Sequence, residues 1–211
     1  MSRISKRSIA AFPTRMAATL ALVVICSCTS PNPTLYTLSA VPAQVPSSGP
    51  AIVSVREVSI AGYLERSEIV RSASGNRLDV RANQWWGEPL APMLSRVLVE
   101  NLSQRLPSSV VFGENGAINS TADATIEVNI ERMDAVSPQS VALVAQVATS
   151  FANTKGRPML KTIRLQAQAP TNDVAGEVAA MSAAIGQLAD RIVDLLHSGS
   201  GMGPSGLRQG R

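Results

Sequence analysis

This sequence has little of what enzymes and nucleic-acid-binding proteins commonly use. Of its 211 residues one is histidine and two are cysteine, while aromatic residues make up 3% and charged residues 16%. One histidine and two cysteines are too few for a four-ligand His/Cys zinc cage within one chain. There is no Walker A loop, and no GxGxxG fingerprint follows a strand pattern. Long hydrophobic runs are missing too. The stretch from Met16 to Ile25 is apolar for only ten residues, against about 20 for a membrane-spanning helix. The low charge with 45% hydrophobic residues excludes a wholly disordered polymer.

The net charge of +4 and pI near 9.6 suggest a polyanion partner, until the charges are located. Arg3, Lys6, Arg7 and Arg15 carry the whole excess, because the chain after residue 28 holds 15 basic and 15 acidic residues. No basic face is left for a phosphate backbone, so nucleic acid is not an expected partner.

What is present starts at the N-terminus. A basic segment followed by a short apolar one is the pattern of a secretory signal. A buried N-terminal helix is the alternative, but the flanks of this run show no helix-face periodicity. The run ends in Ile25-Cys26-Ser27-Cys28, which resembles the bacterial lipobox. Cys28 fits it, with aliphatic Ile25 at −3 and small Ser27 at −1. Cys26 does not, because Ile25 would stand at its −1 position. A Cys26–Cys28 disulfide is the competing reading, and cysteines so close rarely meet disulfide geometry. Residues 1–27 are therefore expected to be a lipoprotein signal peptide and Cys28 to carry the lipid. Stable anchoring takes more than one chain, which favours diacyl or triacyl (palmitate-type) modification. No cofactor other than this covalent lipid is expected. Thr29, where an Asp would signal inner-membrane retention, favours the outer membrane over the inner.

Residues 28–50 read as a lipidated spacer, with prolines at 31, 33, 42, 46 and 50 favouring an extended chain. Tyr36-Thr37-Leu38 within it could pair as a short strand. Residues 199–211 contain five glycines and read as a disordered tail. Between them, 51–198 is long enough for one α/β domain. Ile52–Val58 reads as a strand, and Ile69–Arg71 and Arg77–Val80 as a hairpin around Ser74-Gly75-Asn76. Leu90, Leu94, Val97, Leu98 and Leu102 fall on one face of a helix over 88–106. Ile126, Val128 and Ile130 alternate with Glu127, Asn129 and Glu131, and further strands follow over 141–151 and 160–167. Asn172-Asp173 caps a last helix reaching about His197, whose apolar residues from Val174 to Leu195 repeat every three or four positions. That seam could serve a coiled coil, but the sheet needs a cover. The expected fold is two main helices on a mixed, largely antiparallel sheet.

Chemistry is sparse. His197 stands at the end of the last helix, a poor mount for a catalytic base. Glu127 and Glu131 share one strand face, where acids normally form the solvated side rather than a hydrolytic pair. Two features exceed what a domain needs for packing alone. One is Trp85-Trp86, whose rings face opposite ways if the segment is extended. The other is the apolar-aromatic turn Gly62-Tyr63-Leu64-Glu65-Arg66. Tyr63, Leu64, Trp85 and Trp86 are thus the candidate partner-binding residues, with core packing as the alternative for each.

A lipidated cysteine, Tyr36-Thr37-Leu38, Val58 to Arg66, Glu68-Ile69-Val70-Arg71 and Trp86-Gly87-Glu88-Pro89-Leu90 occur here in that order. In this combination the chain resembles the PqiC-type family of ABC-transport auxiliary lipoproteins, over roughly residues 34–198. It departs from the family pattern in Ala61-Gly62, where proline is usual, and in the additional Trp85. The resemblance implies a three-layer α/β fold similar to the amino-terminal domain of TolB. It also implies a non-catalytic, periplasm-facing subunit working with an MCE-domain protein and an inner-membrane permease in lipid transport and envelope integrity. Self-association is possible on this reading. Two other functions remain open: a lipid-anchored carrier holding acyl chains in its own cavity under the last helix, and a lipid-anchored hydrolase.

Overall fold

The alternation of Ile126, Val128 and Ile130 forms the centre of the fold. All three are buried while Glu127, Asn129 and Glu131 face water, so one side of this strand must meet a cover. The computed structural model describes residues 32–42, 46–73, 76–118, 120–153 and 158–199. The expected signal peptide (residues 1–27), Cys28 and the residues beyond Gly199 lie outside the described residues. In chain order the elements are β1 (Thr34–Tyr36), β2 (Ile52–Val55), β3 (Ser59–Ile60), a single 3-10 turn (Gly62–Leu64), β4 (Glu68–Ala73), β5 (Arg77–Trp86) and α1 (Leu90–Arg105). Then follow β6 (Val110–Gly113), β7 (Ala124–Ser137), β8 (Ser140–Phe151), β9 (Met159–Gln168) and α2 (Val174–Gly199).

The strands form two sheets. The larger has the order β6-β2-β7-β8-β9, with β3 added on β7, and the smaller has the order β1-β5-β4. The long pairings of β8 with β7 and β9 are antiparallel, as is the β4–β5 hairpin. The parallel pairings, β2 with β6 and β7, β3 with β7, and β1 with β5, are short. The two helices and the mixed, largely antiparallel pairing are as expected, but the strands divide between two sheets rather than one. Helix α2 packs on β8 and β9 and also on α1, so the 3-4 seam serves the sheet and its neighbour helix. Asp173 caps α2, its Oδ1 accepting the Gly176 N–H at 2.8 Å.

β3, β6 and the far half of β5 go beyond the strands expected from the sequence. β6 lies between Pro107 and the turn at Glu114, too short for its alternation to register. β5 runs past Val80 to Trp86, interrupted at Asn83, whose φ of 60° is left-handed, a conformation asparagine tolerates. The pairing with β4 shifts register in this stretch, between Val70 and Glu68.

The proline-rich segment requires a correction, because it is not a free spacer over its whole length. Residues 34–42 and 46–50 belong to the folded body, which therefore starts before residue 51. Leu38 is 2% exposed, and Pro50 is buried. The Leu38, Ser39 and Val41 N–H groups donate to Met93 Sδ, Ser182 Oγ and Asn101 Oδ1 at 3.2, 3.2 and 3.1 Å. Arg105 Nη1 donates to the Val41 carbonyl, and the Ser47 N–H to the Arg105 carbonyl at 2.7 Å. Prolines keep this segment extended, and the helix side chains satisfy its backbone donors, so it straps α1 to α2. Gly186 lets the strap come close: a Cβ there would stand 3.1 Å from the Cβ of Val41.

Candidate functional site

Strand alternation separates the two tryptophans. Trp86 is 7% exposed and Trp85 38%, as opposite faces of an extended segment require. Trp86 and the residues after it meet the segment that follows the 3-10 turn, although the two are about twenty residues apart in sequence. The Trp86 N–H donates to the Ser67 carbonyl at 2.7 Å, and the Gly87 N–H to the Tyr36 carbonyl at 2.8 Å. Together they line an open groove of about 370 Å³, with Ile60, Glu65, Arg66 and Ser67 on one side and Trp86, Glu88, Pro89, Leu90 and Ala91 on the other. Its rim is charged. Arg66 lies 3.6 Å from Glu68, and Arg96 pairs with Glu88. An apolar floor with a mixed-charge rim suits binding of a polypeptide more than acid–base chemistry.

The four candidate anchors therefore separate. Leu64 is 5% exposed and part of the core, so its side chain is not a surface anchor; the short 3-10 turn points it inward. Trp86 is likewise core, and reaches the surface only as a wall of the groove. Tyr63 is half-buried, and its hydroxyl is engaged internally. Trp85 alone of the four is an exposed side chain.

The Tyr63 hydroxyl belongs to a network the sequence did not reveal. It donates to Asp134 Oδ1 at 3.1 Å and accepts the Met133 N–H at 3.3 Å. Asp134, 1% exposed, also accepts Arg132 Nε at 2.8 Å and the Ser72 N–H at 3.0 Å, while Arg132 Nη2 donates to Ser72 Oγ at 2.9 Å. The 3-10 turn, β4 and β7 are thereby joined at one carboxylate. Burial pushes the Asp134 carboxyl up, but Arg132, the Ser72 N–H and the Tyr63 hydroxyl outweigh it and hold it below its ordinary value. Burial, with the Asp134 charge beside it, pushes the Tyr63 hydroxyl up to about 12, so Tyr63 is a neutral donor. An Asp inside the apolar run Met133-Asp134-Ala135 was the one signal available.

A second buried carboxylate, Glu177, stands in the first turn of α2 at 4% exposure. Arg81 of β5 faces it at 3.5 Å. Burial raises the Glu177 carboxyl, with Arg81 and then Arg71 acting against the shift. A third cluster holds the strap: Arg105, 3% exposed, bonds Asp190 Oδ1 at 2.6 Å and Asn101 Oδ1 at 3.1 Å.

Other sequence candidates take structural places. Glu127 pairs with Arg56, and Glu131 accepts from Gln146 at 2.6 Å, all on the exposed face. His197 is held near Ser47 Oγ at 3.0 Å. Among the described residues no group of three or more His, Cys, Asp or Glu could hold a metal ion, and no helix is long and apolar enough to cross a membrane. Between α2 and the sheet, where a lipid cavity would lie, Ala184, Ile185, Leu188 and Ile192 are buried in one core with Val128, Leu143, Ala145 and Val147.

Solved structures share this fold. A crystal structure of the protein XCC0632 from Xanthomonas campestris, of the DUF330 family, superposes with a TM-score of 0.65 at 16% identity, covering 80% of this chain and 98% of that one. A crystal structure of an uncharacterized protein gives 0.64 at 19% identity, covering 78% and 98%. At such identities these likenesses show a shared fold. No curated protein matches the chain in sequence. Residues 36–193 match the family model described as ABC-type transport auxiliary lipoprotein component. The chain belongs to that family. The match spans the strap, the turn, the groove and most of α2, and agrees with the resemblance carried by the motifs.

Proposed function

We propose that this protein is the non-catalytic, lipid-anchored subunit of an ABC-type lipid transport system of the MCE class. Cys28 carries its acyl chains, the outer membrane holds it, and the folded body faces the periplasm. Its partners are an MCE-domain protein and the inner-membrane permease, and self-association would multiply its docking sites. Family membership over residues 36–193 carries this reading. The groove supports it, since residues of the Tyr-Leu-Glu-Arg and Trp-Gly-Glu-Pro-Leu motifs line the same concave surface.

Affinity purification of the tagged full-length protein from gently solubilised membranes is the test. Recovery of an MCE-domain protein with its permease is the expected result, weakened by Glu65→Arg with Glu88→Arg in the groove. Recovery of this chain alone, repeated after cross-linking, would remove the transport reading. Deletion of the protein should also raise sensitivity to detergent and organic solvent.

A further inference from the structure

The small sheet exposes apolar side chains that the fold does not use. Leu35 of β1 is 61% exposed and Trp85 of β5 is 38% exposed. The two are direct partners in the parallel β1–β5 register, so their side chains stand next to each other. Leu78 and Val80, each 44% exposed, belong to the same sheet. In a chain with seven aromatic residues, one of the two tryptophans is thus left at the surface beside a leucine.

Chain length says what lies near this pair. Because β1 starts at Thr34, only residues 29–33 separate it from Cys28. Six Cα–Cα steps of at most about 3.6 Å each reach roughly 20 Å. That is less than the thickness of the bilayer's hydrocarbon core, so β1 cannot stand far from the lipid surface. Tryptophan beside an aliphatic residue suits the headgroup layer, where the ring meets acyl chains and the indole N–H stays hydrated.

We infer that Leu35 and Trp85 dock the small sheet onto the phospholipid headgroup layer of the membrane holding the Cys28 anchor. This rests on the lipidation of Cys28 proposed above. The contact orients the body: the lipid tethers it at one point, and the Leu35–Trp85 pair adds a second. The sheet then lies against the membrane rather than swinging freely.

Having two tryptophans makes the test selective. Full-length acylated Trp86→Phe protein, with Trp85 as its only tryptophan, is reconstituted into phosphatidylethanolamine–phosphatidylglycerol vesicles containing phospholipid brominated near the headgroup. Trp85 emission should shift to the blue and lose most of its intensity to the brominated lipid. The Trp85→Phe protein, reporting buried Trp86, should be little affected. Because Trp86→Phe alters the core, Leu35→Cys bearing a nitroxide supplies a second reading; it is the one free thiol once Cys26 is removed and Cys28 acylated. Its accessibility should match headgroup depth.

Unquenched Trp85 and a water-exposed nitroxide, in protein whose Cys28 is acylated by mass, would overturn the inference and leave the anchor standing. Absence of acyl chains on Cys28 would remove both. Protection of Trp85 from aqueous acrylamide in native membranes, without quenching by brominated lipid, would mean a protein covers it and would also overturn the inference.

Discussion

Asp134 and Glu177 are both carboxylates taken out of water, one in a strand and one in a helix, and each faces an arginine. Their protonation is nevertheless pushed in opposite directions. Asp134 accepts from Arg132, the Ser72 N–H and the Tyr63 hydroxyl, which use both its oxygens. Glu177 meets Arg81 through Oε2, while its Oε1 and Arg81 Nε are buried without a hydrogen-bond partner among the described residues. Burial penalises both charges; Asp134 has more donors, and the Asp134 charge adds to the penalty on Glu177. The Asp134 site is a fixed joint between the 3-10 turn and the two strands. The Glu177 site is a looser contact between the small sheet and α2.

The strongest way to break this comparison is to remove the joint. Asp134→Ala should lower unfolding stability in urea by about 3 kcal/mol, because it leaves several donors without an acceptor. Adding Arg132→Met should recover part of that loss through coupling between neighbours. A single-mutant loss under about 1 kcal/mol would mean that the network contributes little.

Tyr63→Phe sharpens the same point on a smaller scale. The ring keeps its packing, while Asp134 loses one donor and the Met133 N–H its acceptor. The expected loss is about 1 kcal/mol by the same measurement. Partner recovery in affinity purification should survive it, since the hydroxyl points into the fold rather than the groove.

What was legible in the sequence follows from how each feature is encoded. β7 is long, wet on one face and dry on the other, and β8 buries every second residue, so period-two alternation exposes both. The capped, regularly spaced α2 is equally open to reading. β6 is four residues with no polar partner face, and the β5 extension passes through Asn83, so neither has a period to detect. The two tryptophans separate as alternation requires. Which of them is core depends on a register between β1 and β5 that no local pattern carries. The groove was legible only as two motifs, because their meeting is a tertiary contact. The strap misleads for a physical reason: prolines extend a chain in the same way whether or not it lies against a surface.

Glu177→Gln is the finest probe, because it separates burial from charge by pH alone. The Glu177 carboxyl is raised above its ordinary value of 4.5 in the folded protein, so the folded state holds that proton more tightly than the unfolded chain. Its stabilising contribution is complete below the unfolded value and is lost as pH rises through the folded one. Glutamine cannot titrate and can still accept from Arg81. Relative to wild type, the variant should therefore gain stability with rising pH above about 4.5 and then level off. Asp134→Asn must behave in the opposite sense. Asp134 is held below its ordinary 3.8, so its contribution is present above the unfolded value and is lost as pH falls through the folded one. Urea unfolding of the three proteins across acid to neutral pH reads both slopes in one series. Slopes of the same sign would show that burial alone sets both carboxylates, and the difference in donors would then explain nothing.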